Sequence, residues 1–361
     1  MGLLDEPQIL APGLAAGRLR LGKSLPGYLG TVATRPIPLV LEVLWKARGN
    51  GVVKKLSLLV SLPTNDNDYQ IEQANSAKDA ARRLNVDIQI IHADNDAISQ
   101  SQQLLKVIQS SSGPRPDAII FEPAGGTGLP QVGAAATAVG IGWVVLNREV
   151  EYIPELRRNC KAPVFSITSD HEEIGRIQGR QFAALLPRGG FVLYIQGPSG
   201  SSAAQQRTTG MYETKPANVQ VRTLKGKWTE VSSYQAVSSW LRLCTSREMH
   251  IDLVAGQDDS MALGARKAFQ EQTSITERER WLSLPYTGCD GLPQTGQAWV
   301  RSGLLAATVV IPANTGMAIE MVAHSINSGT QPPARTCTVA ESFPSLQALA
   351  GTRSKSQGLS E

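Results

Sequence analysis

The chain has 361 residues, of which 42% are hydrophobic and 18% charged, with a formal net charge of +4. That length exceeds one ordinary core and fits two lobes with terminal extensions, and the composition is that of a globular protein. The small positive charge gives no basis for nucleic-acid or anionic-membrane partners.

Residues 1–53 are rich in Gly, Pro and Arg, lack periodicity, and read as an N-terminal extension with one short helix near Leu39 to Lys46. The opening "MGLLDEPQIL" carries two acids where an export signal needs basic residues, so no signal peptide is expected and the protein reads as cytoplasmic as encoded. "PIPLVLEVLW" is too short to span a bilayer and contains Glu42.

From Lys54 onward short apolar runs alternate with helical spacing. "LSLLVSL", "DIQIIHA", "DAIIFEP" and "GWVVLN" read as strands, each followed by a helical segment. The theme repeats with "APVFSI", "GFVLYIQG", "NVQVRTL" and "IDLVAG", and a last strand is expected near Trp281 to Leu284. Alternating strands and helices imply right-handed βαβ units, and two such sets imply two doubly wound parallel-sheet lobes. The closing "GTRSKSQGLSE" reads as a disordered polar tail.

In doubly wound sheets ligands sit beyond the carboxyl ends of the strands. The residues there are Ser61 to Tyr69, Glu122, Asn147-Arg148, Asp170, Gly197 to Ser202, Gln257 to Asp259 and Cys289-Asp290. The set is rich in hydrogen-bonding and acidic groups and contains no histidine. The Gly-rich "EPAGGTGLP" and "QGPSGSSAAQQR" match neither GxxxxGK[ST] nor GxGxxG, so no nucleotide cofactor is expected. No GxSxG elbow or nucleophile–base pair emerges, so no catalytic residue is assigned. Cys160, Cys244, Cys289 and Cys337 lack metal-ligand spacing, and no metal site is expected.

Four side chains stand out. Arg148 follows a strand, where its fork could clamp paired hydroxyls or a carboxylate. Arg207 lies about one turn into a helix facing the same edge. Trp228 and Tyr69 are large rings at loop edges, where a flat apolar partner would explain them. The adjacent acids of "VAGQDDSMALG" divide between two tasks. Asp259 is expected to cap a helix starting near Met261, and Asp258 to face the cleft.

From Lys55 to Phe343 the chain resembles the type I periplasmic solute-binding proteins of the ribose-binding class, which share their fold with lac-repressor effector domains. The markers, in order, include "LLVSLPTNDNDYQIEQANSAKDAARRLN", "VVLNRE", "ITSDHEEIGRIQG", "GPSGSSAAQQRTTGM", "AGQDDSMALGARKAF", "GCDG" and "SGLLAATVVIP". The resemblance implies a sugar-like or polyol ligand held between lobes that close around it. It implies ligand contacts from Asn65 or Asn67, Tyr69, Asn147, Arg148, Arg207, Trp228, Asp258 and Asp290. Asn147 stands where the family has Asp, and Ile311-Pro312 replaces its usual glutamine. The implied partners are an importer's permease subunits or a chemoreceptor or sensor kinase, with the protein itself a monomer. The expected lobes are 54–166 with 312–334 and 167–311 with 335–346, joined by a three-segment hinge and followed by the tail, 347–361. The hinge crossings fall near Phe165 to Ser169, Val310 to Ala313 and Pro332 to Thr336. The competing reading is the effector domain of a transcriptional regulator, but residues 1–53 show no recognisable helix-turn-helix.

Overall fold

The computed structural model describes residues 55–111, 113–124, 128–243, 249–272 and 274–357. The N-terminal extension, its expected helix and any DNA-binding segment lie outside the described residues, as does Cys244.

The first sheet contains β1 (Ser57–Leu62), β2 (Asp87–His92), β3 (Ala118–Phe121), β4 (Gly142–Leu146), β5 (Val164–Ser169) and β11 (Arg335–Thr338), in the order β11-β5-β4-β3-β1-β2. All its pairings are parallel. Because side chains alternate along a strand, the unbroken apolar run of β1 supplies two cores at once. Leu58, Val60 and Leu62 pack under α1 (Asp68–Leu84) and α11 (Thr315–Ser328). Leu59 faces Leu104 and Ile108 of α2 (Ala97–Ile108), with α3 (Pro130–Ala138) and α4 (Ile153–Arg158) completing that side. Strand order reverses direction at β1 and β3, which opens a crevice beyond their carboxyl ends.

The second sheet has the order β7-β6-β8-β9, from β6 (Gly190–Gln196), β7 (Val219–Lys225), β8 (Leu253–Gly256) and β9 (Tyr286–Thr287). It carries α5 (His171–Leu185), α6 (Ser202–Thr214), α7 (Glu230–Leu241) and α8 (Asp259–Gln270). Its continuation, β10 (Thr308–Val310), bridges to β9 and pairs antiparallel with β12 (Glu341–Phe343).

Three elements differ from the sequence reading. The segment around Trp281 is a helix, α9 (Ile275–Leu282), and the strand follows it at Tyr286. A helix N-cap explains the difference: Ser274 Oγ accepts from the Glu277 amide, and Trp281 turns inward to stack on Phe269 with centroids 4.4 Å apart. After the short α10 (Gly296–Arg301), the polar tail begins as α12 (Leu346–Gln357), anchored by buried Leu349 among Phe182 and Val192. The first and third hinge crossings also lie a few residues further on than expected, while the second falls at the expected Val310 to Ala313. Residues Arg335–Thr338 hydrogen-bond to β5, so they belong to the first lobe, and so does all of β5. The chain therefore changes lobes between Ser169 and His171, between Val310 and Asn314, and between Thr338 and Glu341.

Candidate functional site

Both sheets point their carboxyl ends at one cavity of about 590 Å³, lined from the two lobes and the hinge. Eight of the residues marked in the sequence meet there: Asn67, Tyr69, Asn147, Arg148, Arg207, Trp228, Asp258 and Asp290. Asn65, the alternative to Asn67, is exposed and outside the lining. Asn67 wins the position because it caps α1, its Oδ1 accepting from the Tyr69 and Gln70 amides at 2.9 and 3.2 Å. That leaves its amide free to cross the cleft, where Nδ2 donates to the Trp228 carbonyl at 2.7 Å.

On the first lobe, Asn147 is a connector rather than an open ligand group. Its Nδ2 donates to Glu122 Oε2 at 3.0 Å and to the Tyr69 hydroxyl at 3.3 Å, while its Oδ1 accepts from Asn314 at 2.7 Å. Tyr69 in turn donates to the Pro312 carbonyl at 3.2 Å. The first-lobe carboxylate in the cavity is thus Glu122, at the end of β3, with Arg148 4.0 Å from it. Glu122 stands among the strand-end residues of the sequence without a role of its own. Its signal was the strand-end position itself, joined to the loss of the acid at residue 147. Arg148 donates from Nη1 to the Asn147 carbonyl at 2.7 Å, and its Nε is buried without a partner.

The second lobe supplies Arg207, His171 and the paired acids. Helices α5 and α6 cross so closely that a Cβ at Gly210 would collide with the Glu172 carbonyl, and one at Gly175 with that of Arg207. This contact seats Arg207 with Nε toward His171 Nδ1 (3.5 Å) and Nη1 on the Gln257 carbonyl. Since Nδ1 of His171 accepts, its Nε2 carries the proton and donates to the Asn147 carbonyl at 3.2 Å. Burial, then Arg207 and Arg148, hold this imidazole well below its ordinary pKa, so it is neutral. His171 is a second cavity residue that the sequence did not mark; it starts a helix, one residue beyond the strand-end position inspected. The Trp228 residue adopts φ +64°. Its half-buried ring lies against Gly197, where no Cβ could fit, and the Arg207 guanidinium sits 5.4 Å from the ring centroid.

The expected split between the two acids is corrected. Asp258, not Asp259, is the N-cap: α8 begins two residues earlier than expected, and Asp258 Oδ1 accepts from the Met261 amide at 2.5 Å. Its Oδ2 is buried without a partner on the cavity wall, so one carboxylate faces both helix and cleft. Asp259 turns into the protein, accepting from the Gly291 amide at 2.8 Å and from Thr308 Oγ1 at 2.6 Å. Burial pushes the Asp258 carboxyl up to about 6 and Asp259 to about 8. Asp290 is raised well above the carboxylate range, first by burial and then by Asp258.

Among the described residues there is no cluster of side chains able to hold a metal, and no helix is long and apolar enough to cross a membrane. Cys160, Cys289 and Cys337 are unpaired thiols.

A model of the periplasmic binding protein domain matches residues 58–329. The ribose import binding protein of Salmonella typhimurium is 24% identical over 288 residues, covering 79% of this chain and 89% of that protein. The xylitol-binding protein of Mycolicibacterium smegmatis is 27% identical over 227 residues, 62% of this chain and 58% of its own length. Among solved structures, a periplasmic solute-binding protein from Actinobacillus succinogenes with bound D-allose superposes with a TM-score of 0.67 at 18% identity, covering 80% of this chain and 97% of that one. The myo-inositol-binding protein of Caulobacter gives 0.65 at 18% identity, over 81% and 94%. At such identities the structural likeness establishes the fold.

Proposed function

The chain belongs to the periplasmic binding protein family, and from that premise we propose that it binds a monosaccharide-sized sugar or polyol between its lobes and closes around it. The observation that carries this reading is a pair of buried polar atoms without a hydrogen-bond partner, Asp258 Oδ2 and Arg148 Nε, on residues that line the cavity from opposite lobes. Buried groups of that kind cost on the order of 1–3 kcal/mol each until something bonds them. Vicinal hydroxyls fit both, since each can donate to a carboxylate and accept from a guanidinium. The half-buried Trp228 ring offers a flat apolar face for the ring carbons of a sugar. Relatives named for ribose and xylitol support the ligand class.

Contacts from both lobes make closure the consequence of binding, because only the closed form satisfies Arg148 and Asp258 together. Among the described residues, three bonds already span the lobes: Asn67 to Trp228, His171 to Asn147, and Gln206 to Glu149 at 3.2 Å. The family's members are binding proteins, which supports a non-enzymatic role here. The closed form would then be presented, by a monomer, to the permease subunits of an ATP-driven importer or to a chemoreceptor or sensor kinase. Titration calorimetry against monosaccharides and polyols tests the reading. Binding of at least one member should fall by tenfold or more in Arg148→Ala and in Asp258→Ala. A panel with no binder, or variants that bind like the parent, would sink it.

A further inference from the structure

The cavity holds more buried acid than buried base. Three carboxyl side chains line it, Glu122, Asp258 and Asp290, against the guanidinium groups of Arg148 and Arg207. His171 is held neutral, the Tyr69 phenol stays protonated, and Lys227 is exposed at the rim. The two cations are also unevenly placed. Arg148 stands beside Glu122, at 4.0 Å, on the first lobe. Arg207 donates from Nη1 to the Gln257 carbonyl and from Nε to His171, and forms no ion pair with either second-lobe acid among the described residues.

Arg207 attracts both Asp258 and Asp290 but pairs with neither, so the two acids share one cation at longer range. A backbone bond from the Asp259 amide to the Cys289 carbonyl (2.7 Å) ties their loops together and holds them side by side. Asp290 sits at φ +100°, a strained backbone for an aspartate. No described residue donates to its side chain, and Asp258 Oδ2 is likewise unpartnered, at 2% exposure. With hydroxyl donors alone, one of the three carboxyls has no cation to balance it in the closed cleft, and it either stays charged at a cost or keeps a proton.

We infer that the ligand is a polyol or sugar bearing one protonated primary amine, seated between Asp258 and Asp290, with its hydroxyls toward Arg148 and Glu122 and a ring face on Trp228. The inference rests on the sugar-or-polyol reading above and narrows it. An ammonium group supplies three donors and one positive charge, which matches two facing carboxylates with open lone pairs. The neutral reading of the same cavity would require one acid to keep its proton on binding, and the test separates the two.

Calorimetry with matched sets decides it: D-glucose, 2-amino-2-deoxy-D-glucose and its N-acetyl form; the corresponding galactose set; and myo-inositol against inosamines carrying one amine for one hydroxyl. At least one amine should bind tenfold or more tighter than its hydroxyl parent and its N-acetyl form. That ratio should fall at least tenfold in Asp290→Asn and in Asp258→Asn. Asparagine at 258 can still cap α8 through Oδ1, and thermal melts establish that both variants are folded. Neutral parents binding as tightly as the amines, or a ratio that survives Asp290→Asn, would overturn the inference while leaving the sugar reading intact. If no member of any set binds, the sugar reading falls and takes the inference with it.

Discussion

Asp258 and Asp259 are neighbours in the chain with opposite duties, and each duty follows from where its oxygens point. Asp258 spends one oxygen on the Met261 amide and keeps the other for the cavity; Asp259 ties α8 to the Gly291 turn and to β10. Asp259→Ala should therefore destabilise the fold by about 2 kcal/mol or more, because a buried amide and a buried hydroxyl lose their acceptor. Asp258→Asn, which keeps the cap, should melt within about 1 kcal/mol of the parent while losing ligand affinity. Chemical denaturation of both variants, read beside calorimetry, checks the division; equal stability losses would refute it. Capping chemistry at this junction was legible in the sequence. Which acid performs it was not, because "GQDDSM" allows the first turn to start at either residue and the choice falls to the loop packed against it.

At the scale of elements, the α5–α6 crossing positions the second-lobe half of the cavity. Its glycines let the two backbones touch, and that contact aims Arg207 at Gln257 and His171. Gly210→Ala should push the helices apart, costing about 1–3 kcal/mol through overpacking. It should also weaken ligand binding by displacing Arg207, although residue 210 is outside the cavity lining. A melt unchanged from the parent would show that the crossing can relax freely. The strands and helices feeding this crossing were readable from alternating periodicity, and so was Arg207 as a marked side chain. Its aim was not, because nothing local in "SSAAQQRTTGM" specifies which carbonyl lies across a helix interface. The same limit hid His171 and Glu122, whose roles depend on what faces them.

Across the whole molecule, the buried acids at the cavity wall and behind it couple stability to pH. Asp259, pushed up to about 8, and Asp290, raised well above its ordinary value, hold protons in the folded state that an unfolded carboxyl near 3.9 has already released. The native state thus binds more protons than the unfolded one, and stability falls as pH rises through this range. Neutral His171 acts in the opposite sense, but only below about 6.5, where an unfolded imidazole takes up its proton. The melting temperature of the ligand-free protein should accordingly fall between about pH 6.5 and 8.5, with a shallower slope in Asp259→Asn. A rise over that interval would contradict the burial of these acids.

The sequence by itself determined the alternation of strands and helices, hence two doubly wound lobes, and the strand-end positions from which a ligand site had to be drawn. Those features rest on local periodicity and on the topology that parallel strands impose. Tertiary structure decided the rest: Asn67 rather than Asn65, Asp258 rather than Asp259 at the cap, and Glu122 in place of the acid missing at residue 147. It also placed β11 in the first sheet, through hydrogen bonds to a strand more than 160 residues away. Each of these choices is made by a partner distant in the chain, through a hydrogen bond or a close contact that no local pattern encodes.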